Sequence, residues 1–175
     1  MMHVNLTTLT VAVALLAILS TPTLAVADDD EIKATLRGFE EPPAVSTVAT
    51  GRFQGEINRD SIEYRLSYSG LEAPVRQAHI HLGQMAVNGG IVVFLCQTTA
   101  FPDPTGHAPT CPQSGTVTGT FTAANVLAVP AQGIAAGEFG ELLRAIRRGV
   151  TYANVHSDKF PGGEIRGQIR SQDDD

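Results

Sequence analysis

The sequence predicts an all-β domain, an antiparallel β-sandwich of the immunoglobulin-like or Greek-key type with one short amphipathic helix. From residue 32 onward, short segments that alternate apolar and polar residues are separated by Gly, Pro, Asn or Asp. Such alternation is typical of strands that bury one face. The chain of 175 residues has about the length of one domain, and its 43% of hydrophobic residues is enough to fill one core.

Eight segments qualify as strands by this pattern. The clearest is 62–68, in which Ile62, Tyr64, Leu66 and Tyr68 share one face. Residues 58–61 predict a hairpin turn before it, and residues 161–163 predict another hairpin near the end of the chain. The predicted strands are 32–39, 48–57, 62–68, 77–82, 91–96, 116–122, 151–156 and 164–170.

One segment, 138–148, breaks the strand pattern. Its apolar residues recur at helical spacing, and Gly149 supplies a stop signal for a helix of about three turns. The arginines on its other face favour a solvated surface, with a binding patch as the alternative. A shorter helical turn is expected within 123–127.

The first 27 residues contain no charged side chain. A run of nine apolar residues at 11–19, followed by Ala25-Val26-Ala27, is typical of a secretory signal peptide. The run is too short to cross a bilayer, which needs about 20 apolar residues. We therefore expect cleavage after Ala27 and one domain over 28–175 without a membrane span, in an extracytoplasmic location, secreted or periplasmic. A buried helix of the mature fold is the alternative for this segment.

The charge balance excludes one class of partner. Lys and Arg number 12 against 18 Asp and Glu, so the formal net charge is −6. Nucleic-acid binding rests on a basic face that neutralises phosphates, so nucleic acid is not an expected partner.

Two cysteines, Cys96 and Cys111, flank a Pro-rich segment. In an oxidising compartment they predict a disulfide, which would stabilise the fold by about 3 kcal/mol in the chain-entropy model. The alternative is a thiolate metal site that includes His107, although closely paired cysteines are more typical of such sites.

Histidines give the strongest functional signal. His79 and His81 form an H-x-H pair on a predicted strand, so both imidazoles point to the same face, and His156 lies at the end of another predicted strand. Three neutral imidazoles suit copper or zinc, and copper(II) binds such donors most tightly. The alternative is that these histidines only hydrogen-bond within the fold.

Glu164 and Arg166 share one face of the last predicted strand. They either face solvent on a half-buried strand or form a partly buried pair that supports the histidine face. The sequence contains neither a phosphate loop nor a serine nucleophile with a base at a recognisable spacing.

Several motifs in order resemble the CHRD domain family. They lie at residues 36–38 with 41–43, 78–83 with 88–89, 152–157, and 160–169, so that the resemblance spans about 31–170. The resemblance implies an extracytoplasmic β-sandwich and strengthens the expectation of a metal site at His79, His81 and His156.

Two functions from different classes remain open at this point. The first is a secreted binding module that holds one copper or zinc ion through the three histidines. In its enzymatic form it resembles copper–zinc superoxide dismutases, which also place an H-x-H on a sandwich strand. Arg166 or Arg76 would then supply local positive charge. The second is a metal-free interaction domain for another exported protein or a surface polymer.

Overall fold

The computed structural model describes residues 1–3 and 31–171. The predicted signal peptide falls almost entirely outside this range. The described chain forms nine strands and one α-helix, α1 (Phe139–Arg147). The strands are β1 (Glu31–Arg37), β2 (Thr50–Ile57), β3 (Ser61–Ser69), β4 (Val75–Leu82), β5 (Gly90–Cys96), β6 (Gly115–Thr122), β7 (Thr151–Ser157), β8 (Ile165–Gln168) and β9 (Arg170–Ser171).

All strands pair antiparallel in the order β5-β4-β7-β8-β1-β2-β3-β6, and β9 pairs with β1. The chain therefore crosses from one half of this sheet to the other after β3, after β5 and after β6. The halves join through β8 and β1, where Arg37 faces Arg166. The hydroxyl of Tyr64 on β3 donates a hydrogen bond to the Leu95 carbonyl on β5, 2.5 Å away. This contact links β5, at one end of the strand order, to β3, one strand from the other end, so the sheet folds over itself and is nearly closed.

The core lies between the two halves of the sheet. It combines fully buried side chains such as Phe53 and Leu66 from one half with Ile80, Val93 and Ile165 from the other. Along β3, the buried residues are those that the alternation places on one face. The prediction of an antiparallel sandwich with one short helix is confirmed.

The helix α1 is also confirmed. Leu142, Ala145 and Ile146 are buried, and Arg144 pairs with Glu141 one turn earlier. The helix ends just before Gly149, which has φ of 63° and donates a backbone hydrogen bond to Ile146. The predicted turn near residue 123 is a 3-10 helix over Ala123–Asn125.

The sequence prediction was wrong in detail at both terminal strands. The first strand ends at Arg37 and continues as a 3-10 turn over Gly38–Glu40. The segment predicted as one last strand is divided into β8 and β9, because the Ile169 N–H donates to Thr151 while Arg170 pairs with β1.

Cys96 and Cys111 form the predicted disulfide, with their Cα atoms 4.9 Å apart. The thiolate alternative is therefore wrong, and His107 lies exposed in the enclosed loop. Within residues 1–3 and 31–171, the one α-helix is too short to cross a bilayer.

Candidate metal centre

The three predicted histidines come together on the outer face of β4 and β7. These strands are antiparallel neighbours, with His79 opposite Asn154 and His81 opposite Tyr152, so that His156 follows two residues after Asn154 on the same face. The opposite face, with Ile80 and Val155, points into the core. One candidate ligand atom from each histidine lies within 4.8 Å of the other two.

Although they lie on an outer face, the three rings are enclosed. His79 is 0% exposed, His81 7% and His156 5%. The His79 ring packs edge-on against Phe94, with centroids 4.3 Å apart, and the His81 ring stacks on Tyr152 at 4.7 Å. The cluster is therefore shielded from solvent by neighbouring side chains and loops.

Backbone carbonyls orient two of the rings. The Nδ1 atom of His81 lies 3.0 Å from the Gly89 carbonyl oxygen, and Nδ1 of His156 lies 3.1 Å from that of Pro161. A carbonyl oxygen only accepts, so both Nδ1 atoms carry the proton and both Nε2 atoms keep a free lone pair. We assign the tautomers from these bonds.

The third ring completes this arrangement. Nδ1 of His79 lies 3.1 Å from Nε2 of His156. Because that Nε2 is unprotonated, Nδ1 of His79 donates to it, and Nε2 of His79 also keeps its lone pair. The Nε2 atoms of His79 and His81 are buried without a hydrogen-bond partner. Buried polar atoms without partners are uncommon and require an explanation.

Burial also sets the charge of the cluster. Desolvation is the main cause that lowers the pKa of all three imidazoles, to about 3 for His81 and about 4 for His156. Neighbouring positive charge adds to the effect, from Arg166 on His81 and from Arg76 on His156. All three rings are therefore neutral at physiological pH, which is the form that binds metal ions.

Arg166 contacts both the Tyr152 ring and the loop that orient His81. Its guanidinium lies 3.3 Å from the centroid of the Tyr152 ring, on which His81 stacks. It donates to the carbonyl oxygens of Gln84 and Val87, at 3.0 and 2.9 Å. These bonds hold the loop that ends at Gly89, whose carbonyl orients His81.

A second set of contacts connects the loops that carry Glu41 and Gly163 to β7. The buried carboxyl group of Glu41 accepts a hydrogen bond from Asn154, 2.6 Å away. Burial raises the pKa of Glu41 to about 7, against the opposing effects of Asn154 and Arg166. Gly163 has φ of 132°, and a Cβ atom there would lie 2.5 Å from the Glu41 carboxyl. This position therefore requires glycine.

The structure gives a different account of Glu164 and Arg166 from either sequence alternative. Both side chains are buried, so the prediction that they face solvent is wrong. The Glu164 carboxylate accepts from the Thr47 hydroxyl and from the Glu72 backbone N–H, at 2.8 and 3.0 Å. Each side chain thus has partners of its own, and Arg166 is the one joined to the histidine face.

A family model for the CHRD domain matches residues 32–169, which is most of the chain. The chain belongs to the CHRD domain family. Neither the curated proteins nor the solved structures contain a significant match to it. Family membership supports a binding module but does not say what is bound. The chemistry of this CHRD domain is therefore argued from its own residues.

The sequence predicts the three histidines and Arg166 as site residues but does not predict how they are held. The roles of Tyr152, Phe94 and the Gly89 carbonyl depend on the pairing of β4 with its two neighbours. Asn88-Gly89 and Glu41-Pro42 were among the CHRD motifs, so their position in the motifs was the available signal. Nothing in those residues by themselves indicates a contact with a histidine.

Proposed function

We propose that this CHRD domain is a binding module that holds one copper or zinc ion through His79, His81 and His156. The observation that carries the proposal is the pair of buried, unpartnered Nε2 atoms on His79 and His81 beside Nε2 of His156, which accepts only from His79. An ion would supply the missing partner for lone pairs that no hydrogen bond satisfies.

The distances support this assignment. Two nitrogen ligands about 2.05 Å from one ion at a tetrahedral angle lie about 3.3 Å apart. One candidate ligand nitrogen from each ring lies within 4.8 Å of the other two. The 3.1 Å between Nδ1 of His79 and Nε2 of His156 is the hydrogen bond that binding would break. Binding would therefore require a small inward movement of one ring, by about 1 to 1.5 Å, and would displace the hydrogen bond between two of them.

Protons would compete little with the ion. The buried imidazoles stay neutral down to about pH 4 for His156 and lower for its two neighbours. Metal retention should therefore be nearly constant between pH 6 and 8, since metal affinity normally falls only where the ligands become protonated.

The direct test is metal content after exposure to Cu(II) or Zn(II) and exhaustive dialysis. We expect one ion per chain in the parent and none in the His79→Ala/His81→Ala variant. The control is His107→Ala, which removes an exposed histidine outside the trio and should leave the metal content unchanged. A parent that retains neither zinc nor copper, with the copper supplied in either oxidation state, would refute the proposal.

A copper-dependent, superoxide dismutase-like activity is the enzymatic form of this proposal. It needs a coordination position that superoxide can reach, and the positive charge of Arg166 or Arg76 would attract the anion. The enclosed rings and the net charge of −6 provide little support for this form. A dismutase assay of the copper-loaded protein, with the double variant as control, tests it directly.

The second candidate is a metal-free interaction domain for an exported protein or a surface polymer. Exposed apolar side chains favour it: Phe39 is 73% exposed, Val48 84% and Met85 55%. Such residues on loops are suited to contact with a partner. In this case His79→Ala would lower the unfolding temperature without changing any ligand affinity.

An extracytoplasmic location belongs to both proposals. The Cys96–Cys111 disulfide is of the kind that forms and persists in oxidising compartments. Detection of a mature form that begins at Asp28 in the exported fraction would establish both the location and the predicted cleavage.

A further inference from the structure

The donor set of the histidine trio carries no negative charge. Within the described ranges, the group that surrounds the candidate site contains three imidazoles and neither a carboxylate nor a thiolate. An imidazole that binds a metal through one nitrogen and keeps the proton on the other is a neutral ligand. A bound ion would therefore keep its full formal charge inside the protein.

Two cations lie close to the trio. Arg166 packs on the Tyr152 ring, on which His81 also stacks. Arg76 lies near His156, with its guanidinium 3.7 Å from the Phe101 ring centroid. The side chain of Arg76 also lies 3.6 Å from the exposed carboxylate of Asp158. Both arginines oppose the addition of positive charge to the rings.

Glu41 is a buried acid from another loop that binds Asn154, the residue opposite His79. Its carboxyl group binds Asn154 and interacts with Arg166. Burial raises its pKa to about 7, so much of its negative charge is lost at neutral pH. Glu41 therefore offsets only part of the positive charge of Arg166.

The enclosure limits the number of ligands. The Nε2 atoms of His79 and His81 are both out of contact with solvent. Zinc(II) in proteins takes four ligands, and copper(II) favours tetragonal sets, so either ion would need at least one more donor. Copper(I) has a filled d shell and is stable with three nitrogen donors.

We propose that the His79, His81 and His156 trio selects Cu(I) over Cu(II) and Zn(II), a preference that rests on the proposed function. The cost of burying an ion rises with the square of its charge, so a monovalent ion costs about a quarter as much as a divalent ion of the same size. Neutral donors, nearby arginines and an enclosed cluster all favour the lower charge.

The first test is an anaerobic competition on the purified protein. Cu(I) is supplied as its acetonitrile complex, and the chromophoric chelator bicinchoninate reports the copper that remains unbound. We expect one Cu(I) per chain, and less than a tenth of it displaced by a tenfold excess of Zn(II). Displacement of most of the copper by zinc would overturn the selectivity.

The second test is the reduction potential of the copper-loaded protein. Preference for Cu(I) raises the potential above that of aqueous copper, by about 59 mV for every tenfold difference in affinity. Arg76→Gln should lower the potential, because it removes a positive charge near His156, whereas Arg65→Gln on the far half of the sheet should not. A bound-copper potential below that of aqueous copper would refute the inference.

The results separate this inference from the function on which it rests. A parent protein that retains Zn(II) or Cu(II) but not Cu(I) refutes the selectivity and leaves the metal site intact. A parent that retains none of the three ions refutes both. Since these measurements use the unaltered sequence, they are decisive even if the histidine variants do not fold.

Discussion

The two halves of the sheet use their outer faces differently. Along β3, buried and exposed residues alternate, and the outer face carries side chains such as Glu63 and Arg65 in water. Along β7, every residue from Thr151 to Ser157 is buried. Both strands have a core face of apolar residues, so the difference lies in what covers the other face.

Loops cover the outer face of β4, β7 and β8. The segments that carry Glu41, Gly89 and Pro161 each contact a polar side chain on it. In this covered half, polar groups must find hydrogen-bond partners inside the protein. Two nitrogens of the histidine trio, Nε2 of His79 and Nε2 of His81, have none. In this protein, the polar outer face forms a candidate site only in the half where other segments remove it from water.

The largest expected difference between the halves concerns two arginines. Arg166→Ala should lower the free energy of unfolding by about 3 to 5 kcal/mol, because it removes a buried side chain with charged hydrogen bonds to two loop carbonyls and a stacked guanidinium. Arg65→Ala removes only an exposed bond to Thr116 and should change it by less than about 0.5 kcal/mol. Urea denaturation measures the free energy of unfolding of both variants. Similar losses in the two would contradict the proposed difference between the halves.

The stability of the metal-free protein should depend on pH through the covered half. Folded His81 and His156 have pKa values lowered from 6.5 to about 3 and about 4, and the pKa of His79 is lowered too. The unfolded chain therefore binds more protons below pH 6.5, so these groups destabilise the fold as the pH falls. Glu41, with a pKa raised from 4.5 to about 7, acts in the opposite direction over this range.

At the three histidines and Glu41 together, the unfolded chain binds about two more protons than the folded chain in this pH range. Stability should therefore fall by about 2 to 3 kcal/mol for each pH unit between 6.5 and 4.5. Thermal unfolding in the presence of a chelator measures it. The His79→Ala/His81→Ala variant should lose most of this pH dependence. If its free energy of unfolding falls with pH as steeply as that of the parent, groups other than these histidines cause the dependence.

Two adjacent glycines sharpen the comparison within one loop. Gly163→Ala should cost about 1 to 3 kcal/mol, because its φ of 132° is unfavourable for alanine and the new Cβ would meet the Glu41 carboxyl. Gly162→Ala places its Cβ in open space and should cost less than about 0.5 kcal/mol. Equal effects on the denaturation midpoint would contradict the close packing described here.

The smallest effect is expected for Glu41→Gln. With a pKa of about 7, the carboxyl group is mostly neutral at pH 6, and an amide oxygen can still accept from Asn154. Stability at pH 6 should therefore change by less than about 0.5 kcal/mol, while the contribution of Glu41 to the pH dependence disappears. A loss above about 2 kcal/mol at pH 6 would show that the ionised form is the one stabilised.

The sequence alone determined the parts of the protein that depend on local pattern. Alternation in β3 predicts which residues enter the core, helical spacing and Gly149 predict α1, and two cysteines predict the disulfide. The H-x-H pair predicts two imidazoles on one face, because strand geometry repeats every two residues. These inferences succeed because each rests on contacts or periods within a short stretch of chain.

The enclosure of the histidine face follows from the tertiary structure and from no local pattern in the sequence. Its closure depends on loops that start far away in the sequence, such as the one that brings Glu41 to Asn154, 113 residues later. The same folding gives Glu164 and Arg166 separate partners, although they share a strand face. Alternation shows which side chains share a face, but whether that face meets water depends on which distant segments fold across it.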